Sequence, residues 1–143
     1  MLKIVVGLPG CGKSTLLQRF ESEGLRIFDD FHANAFGDSS DVEMSQLYFP
    51  LMDTLLAGRD CAVSDIAFCI PERRSALLKA IRLRFPNEPI EWIYFENSPE
   101  KCRRNITRRN RDGMDRDLKA LELFAEKYAV PAGVTVIPIY GED

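Results

Sequence analysis

The sequence is poor in the side chains that build metal and disulfide frameworks. It has one histidine, His32, and four scattered cysteines, Cys11, Cys61, Cys69 and Cys102, with no C-x-x-C pair among them. That set offers no transition-metal site of the usual ligand spacing, and the cysteines read as reduced thiols. Long apolar runs are also missing. The opening run Leu2–Val6 stops at Gly7, far short of a signal peptide or of the ~20 residues of a membrane span. We therefore expect a cytoplasmic protein with no membrane anchor. No linker, repeat or low-complexity tract interrupts the chain. Excess positive charge is absent too: the net charge is −3, which argues against broad electrostatic capture of nucleic acid.

What is present suits a folded domain. At 143 residues, with 45% hydrophobic and 29% charged side chains, the chain is expected to form a single domain over 1–143 with a real core. Its charge is unevenly spread. Residues 1–70 carry 5 basic and 10 acidic side chains, whereas residues 71–143 carry 14 and 12. Lys101 to Arg111 holds six positive charges and no acid.

Short apolar runs alternate with segments of helical period. Leu2–Val6, Leu25–Phe28, Cys61–Ser64, Pro89–Phe95 and Val134–Ile139 read as strands. Helices are expected over Lys13–Ser22, over Asp41–Ala57 with a kink or break at Pro50, from Pro71 to before Pro86, from Ser98 through the basic run, and over Met114–Tyr128. Ser98 reads as a helix cap with Pro99 at the first position. Phe36–Ser40 reads as loop. The order βαβαβαβααβ predicts an α/β fold, a parallel sheet with helices on both faces. Such sheets bind ligands at the carboxyl ends of their strands. The chemistry should then follow Val6, Phe28, Ser64 and Phe95.

Each of these ends is marked. After the first strand, Gly7-Leu8-Pro9-Gly10-Cys11-Gly12-Lys13-Ser14-Thr15 matches GxxxxGK[ST] at every fixed position. Glycines let backbone amides approach phosphate oxygens, and the following helix turns its positive dipole end to the same anion. Lys13 supplies a cation for the β- and γ-phosphates, and Ser14 a hydroxyl for Mg²⁺. Cys11 reads as a small loop residue, although a helix N-terminus can also lower a thiol pKa. After the second strand, Asp29-Asp30-Phe31-His32 is either a solvated corner or a base that accepts the proton of an attacking hydroxyl. His32 reads as a polar neighbour of that site. After the third strand, Asp65 suits a Mg²⁺ contact, partly through water. In the basic run, Arg104, Arg108 and Arg111 share a helix face at i, i+4 and i+7. They form either a solvated face or an arginine lid over ATP phosphates, with Arg108 the leading candidate.

The segments GLPGCGKST, IFDDFH, VSDIAFCIPERR and the Arg-rich helix resemble the P-loop kinases. The likeness extends over nearly the whole chain. It is greatest to the polynucleotide 5′-kinases, and it is shared with zeta-toxin-like enzymes and with small-molecule kinases such as the gluconate and shikimate types. The resemblance implies a five-stranded sheet of order 2-3-1-4-5 and an ATP- and Mg²⁺-dependent transfer to a hydroxyl. It implies that Lys13 and Ser14 hold ATP and Mg²⁺, and that Asp29 is the general base. It places Asp65 near substrate and metal, Arg108 in the lid, and Asp30, His32 and Arg73 toward the acceptor. His32 stands where polynucleotide kinases carry an arginine. Both a nucleic-acid 5′-hydroxyl and a small-molecule hydroxyl stay open as acceptor. The competing expectation is a non-kinase P-loop NTPase or regulatory module. No N/TKxD guanine-reading element occurs.

Overall fold

The computed structural model describes residues 1–29, 49–110 and 112–139. Five strands form one parallel sheet: β1 (Leu2–Val6), β2 (Arg26–Asp29), β3 (Cys61–Ser64), β4 (Ile90–Phe95) and β5 (Thr135–Ile137). Their order is β2-β3-β1-β4-β5, as the resemblance implies. The described helices are α1 (Lys13–Ser22), α2 (Phe49–Leu56), α3 (Pro71–Arg84), α4 (Pro99–Arg109) and α5 (Met114–Ala125), with a short 3-10 turn at Ile66–Cys69. Among the described residues, no helix is long and apolar enough to cross a membrane.

The central strand β1 is flanked by β3 and β4, so it is apolar on both faces. Leu2, Ile4, Val5 and Val6 are fully buried, and so are Ala62 and Val63 of β3. Burying one such aliphatic side chain contributes about 1.5–3 kcal/mol. Helix α1 adds Leu16, Leu17 and Phe20 to this core. Register then fixes where the chemistry sits. Asp29 pairs with Ser64, Ser64 with Val5, and Val6 with Tyr94. The carboxyl ends of β2, β3, β1 and β4 therefore form one edge, and Gly7 leaves from its middle.

Several boundaries differ from the sequence reading. Helix α2 is described over Phe49–Leu56, and the kink or break expected at Pro50 turns on residues before Phe49, which lie outside the described residues. The expected stretch 41–48 and the Phe36–Ser40 loop lie outside the described residues. β2 runs one residue further, to Asp29. β5 is three residues long rather than six, because Pro138 has no N–H for a ladder. α5 ends at Ala125, and Tyr128 lies beyond it, buried. Ser98 does cap α4 by position, but its side chain makes no capping hydrogen bond.

Candidate functional site

The loop between β1 and α1 is seated directly on α4. Gly10 has φ +83°, and a Cβ there would lie 2.7 Å from the Cys102 carbonyl oxygen and 2.7 Å from Ile106 Cγ1. Only glycine meets both demands. Gly7 is equally tight: a Cβ would lie 2.5 Å from Cys11 Sγ. Pro9 sits between them, half-buried. The Asn105 side-chain amide donates to the Gly10 carbonyl at 2.9 Å, which locks the loop to the helix.

Lys13 bridges the loop from inside. Its Nζ donates to the Gly7 and Leu8 carbonyls at 2.7 and 2.9 Å and reaches Cys11 Sγ at 3.7 Å. Cys69 Sγ donates to the same Gly7 carbonyl at 3.3 Å. Burial raises the Cys11 thiol, and it pushes Cys69 and Cys102 up to about 12. The notion of a Cys11 thiolate at a helix N-terminus is thereby overturned: desolvation outweighs the Lys13 charge. All four cysteines are free and buried.

The start of the loop is pinned by Tyr128. Its buried hydroxyl donates to the Phe95 carbonyl at the end of β4 and lies 3.4 Å from the Val6 carbonyl at the end of β1. Burial raises this phenol above its ordinary range.

The structure brings Ser14 and Asp29 together. The Ser14 hydroxyl donates to Asp29 Oδ2 at 3.3 Å, on an exposed face. Thr15, beside it, is exposed at the mouth of the site. Asp65 follows β3, as expected. It is fully buried, and its Oδ1 accepts the Ala67 amide at 2.9 Å, capping the 3-10 turn. A carboxylate ending an apolar strand is here held by backbone. Asp29, on the adjacent strand, is the acid at the Ser14 hydroxyl. Arg73 is half-buried in the first turn of α3. Its neighbour Arg74 donates to the Phe68 carbonyl at 2.5 Å and lies over the Tyr94 ring. Asp30, His32 and Arg111 lie outside the described residues.

A cavity of about 520 Å³ opens beside the loop. Cys11, Gly12 and Thr15 form its phosphate-loop end, Asn105, Arg108 and Arg109 one wall, and Ile137 and Pro138 another. Arg104 is exposed and is not among the lining residues. Of the predicted Arg104–Arg108–Arg111 face, Arg108 lines the cavity and Arg111 lies outside the described residues, while the burial of Cys102, Asn105 and Ile106 sets how α4 meets the core. Asn105 and Arg109 are site residues that charge patterning did not select.

Comparisons with known proteins agree with this geometry. The family model described as AAA domain (AAA_33) matches residues 2–131. Uncharacterized protein R277 of Acanthamoeba polyphaga mimivirus is 27% identical over 131 residues, covering 90% of this chain and 86% of that one. A gluconokinase structure from Sinorhizobium meliloti has a TM-score of 0.64 at 14% identity, covering 98% of this chain and 83% of that one. Chaetomium thermophilum Kti12, solved in complex with ADP-AlF3, has a TM-score of 0.59 at 16% identity, covering 96% and 89%. The phosphate loop, the strand order and the family match together make this chain a member of the AAA-domain family with a P-loop kinase-like fold.

Proposed function

We propose that the protein is a kinase that transfers the γ-phosphate of ATP to a hydroxyl acceptor in the presence of Mg²⁺. The observation that carries this reading is the Ser14–Asp29 contact, a carboxylate at the next-but-one strand end held against the hydroxyl of a lysine-bearing phosphate loop. Backbone N–H groups at the Gly12–Thr15 end of the loop and the Lys13 ammonium bind the phosphate chain. The apolar wall at Ile137 and Pro138, opposite Arg108 and Arg109, takes the nucleoside.

Ser14 and Asp29 offer adjacent oxygen donors, the donor type that Mg²⁺ prefers. These residues would hold the ion, with the buried Asp65 carboxyl following the adjacent strand β3. Bound there, Mg²⁺ supplies neutralisation of the phosphate charge. Asp29 takes the acceptor's hydroxyl proton as the acceptor oxygen bonds to the γ-phosphorus. The bond from that phosphorus to the β–γ bridging oxygen breaks, and ADP leaves. Lys13 and Arg108 stabilise the charge on the transferred group. Asp30, His32 and Arg73 are assigned to the acceptor side. The acceptor is a nucleic-acid 5′-hydroxyl or a small polyhydroxy compound.

The test is transfer of labelled γ-phosphate from ATP to two acceptors in parallel, a 5′-hydroxyl oligonucleotide and a set of sugar acids and polyols. Label in either acceptor supports the kinase reading and identifies the acceptor class. Label released only as inorganic phosphate, at a rate no acceptor changes, assigns the chain to the non-kinase NTPases instead.

A further inference from the structure

Pro138 is held in an unusual way for a cavity wall. It has no N–H, and it follows the last residue of a three-residue edge strand. It cannot anchor itself through its own amide. Its two neighbours are both bound to one residue. The Glu96 backbone N–H donates to the Ile137 carbonyl at 2.8 Å. The Ile139 N–H donates to Glu96 Oε1 at 3.0 Å. Glu96 therefore brackets Pro138 from both sides.

The same carboxylate oxygen reaches the opposite wall. Lys101 Nζ donates to Glu96 Oε1 at 2.6 Å. Lys101 lies in the first turn of α4, the helix whose later turns carry Asn105, Arg108 and Arg109. Both of these partners favour the ionised form, and they hold the Glu96 carboxyl below its ordinary range. Lys101 and Glu96 are both partly exposed, so the ion pair alone is a modest tie; the backbone N–H on the same oxygen adds to it.

We propose that Glu96 is a positioning residue for nucleotide binding, setting the width of the nucleoside cavity by tying the Pro138 wall to helix α4. This deepens the kinase reading above and rests on it. Glu96 touches no phosphate-loop residue in these contacts. Its loss should loosen the nucleoside end of the site and leave the phosphate end intact. Asn105 should do the opposite, since it holds Gly10 of the phosphate loop.

The experiment compares binding of ATP and of inorganic tripolyphosphate to the whole chain by calorimetry. Glu96→Ala should weaken ATP by about tenfold, the loss expected for a charge-assisted bond, with tripolyphosphate changed less than about twofold. Glu96→Gln keeps an oxygen for the Ile139 amide, so it should recover part of the ATP affinity. Asn105→Ala should weaken both ligands. A role in general stability alone would lower the melting temperature of Glu96→Ala and leave the ATP-to-tripolyphosphate ratio at its wild-type value, which overturns the proposal. Equal weakening of both ligands overturns it as well. If Glu96→Ala does not fold, Glu96→Gln and Lys101→Met read the same ratio, and an unchanged ratio in both is again contrary. Failure of wild-type protein to bind tripolyphosphate and ATP at all would instead refute the kinase reading on which the proposal stands.

Discussion

At one end of the cavity, a Cβ on Gly10 would collide with the Cys102 carbonyl oxygen and Ile106. At the other, the residues on either side of Pro138 are held by hydrogen bonds to Glu96. The phosphate end is built by close packing and backbone conformation, with almost no room for another side chain. The nucleoside end is built by one carboxylate that joins the Lys101 side chain to the backbone beyond a short edge strand. Close packing holds atoms within a few tenths of an ångström, which suits a phosphate cradle. Polar ties hold a wall in place and still tolerate substitution. The two ends should therefore fail differently when altered.

Lys13→Ala should cause the largest loss. Removing the only side-chain cation inside the loop should cut phosphoryl transfer by about 10²–10³, the range seen when one charge-stabilising donor is deleted. Steady-state turnover of ATP checks it. Gly10→Ala comes next. A positive φ and two contacts at 2.7 Å predict a stability loss of about 1–3 kcal/mol, visible in urea unfolding, together with weakened ATP binding. An equal change at Gly58, whose Cβ would meet nothing within 4 Å, should cost only its backbone strain and leave ATP binding unchanged. If the two variants bind ATP alike, close packing is not what shapes the phosphate end.

The arginines sharpen the contrast further. Arg108→Ala should lower transfer by at least about tenfold, a cautious value for an arginine on a phosphoryl group. Arg104→Ala, outside the cavity lining, should stay within about twofold. Equal effects would mean that α4 is rotated from the position described. The smallest effect concerns the buried thiols. Their folded-state pKa values lie above the ordinary 9.0, at about 12 for Cys69 and Cys102 and about 11 for Cys61. Because the unfolded chain releases these protons first, their contribution is fully present below pH 9 and is lost as pH rises toward 11–12. Melting temperature should fall across that window, and replacing Cys69 by Ala should flatten the fall.

The phosphate loop was legible in the sequence because its chemistry has few substitutes: glycines for close approach, lysine for charge, and a hydroxyl at the helix start. The strands were legible because β1 and β3 are largely buried on both faces and read as short, mainly apolar runs, with Lys3 as the charged exception. The nucleoside wall was not. Glu96 and Lys101 are five residues apart and carry no motif, and Ile139 is brought to Glu96 only by the pairing of β5 with β4. Helical spacing grouped Arg104 with Arg108, but spacing gives only relative orientation. Which arginines face the cavity was decided by the burial of Cys102, Asn105 and Ile106 against the rest of the fold. At Asp65 the structure adds what the sequence could not show: one carboxylate oxygen accepts the Ala67 amide at 2.9 Å and caps the next turn.

The central claim is that Asp29 serves an acceptor hydroxyl rather than the nucleotide alone. The direct measurement is ATP consumption with and without a competent acceptor, for wild type and Asp29→Asn. We predict that Asn at this position lowers acceptor-dependent transfer by about 10²–10⁴, the usual worth of a positioned base, while the variant still binds ATP. Acceptor-dependent transfer that survives the substitution undiminished would contradict the account.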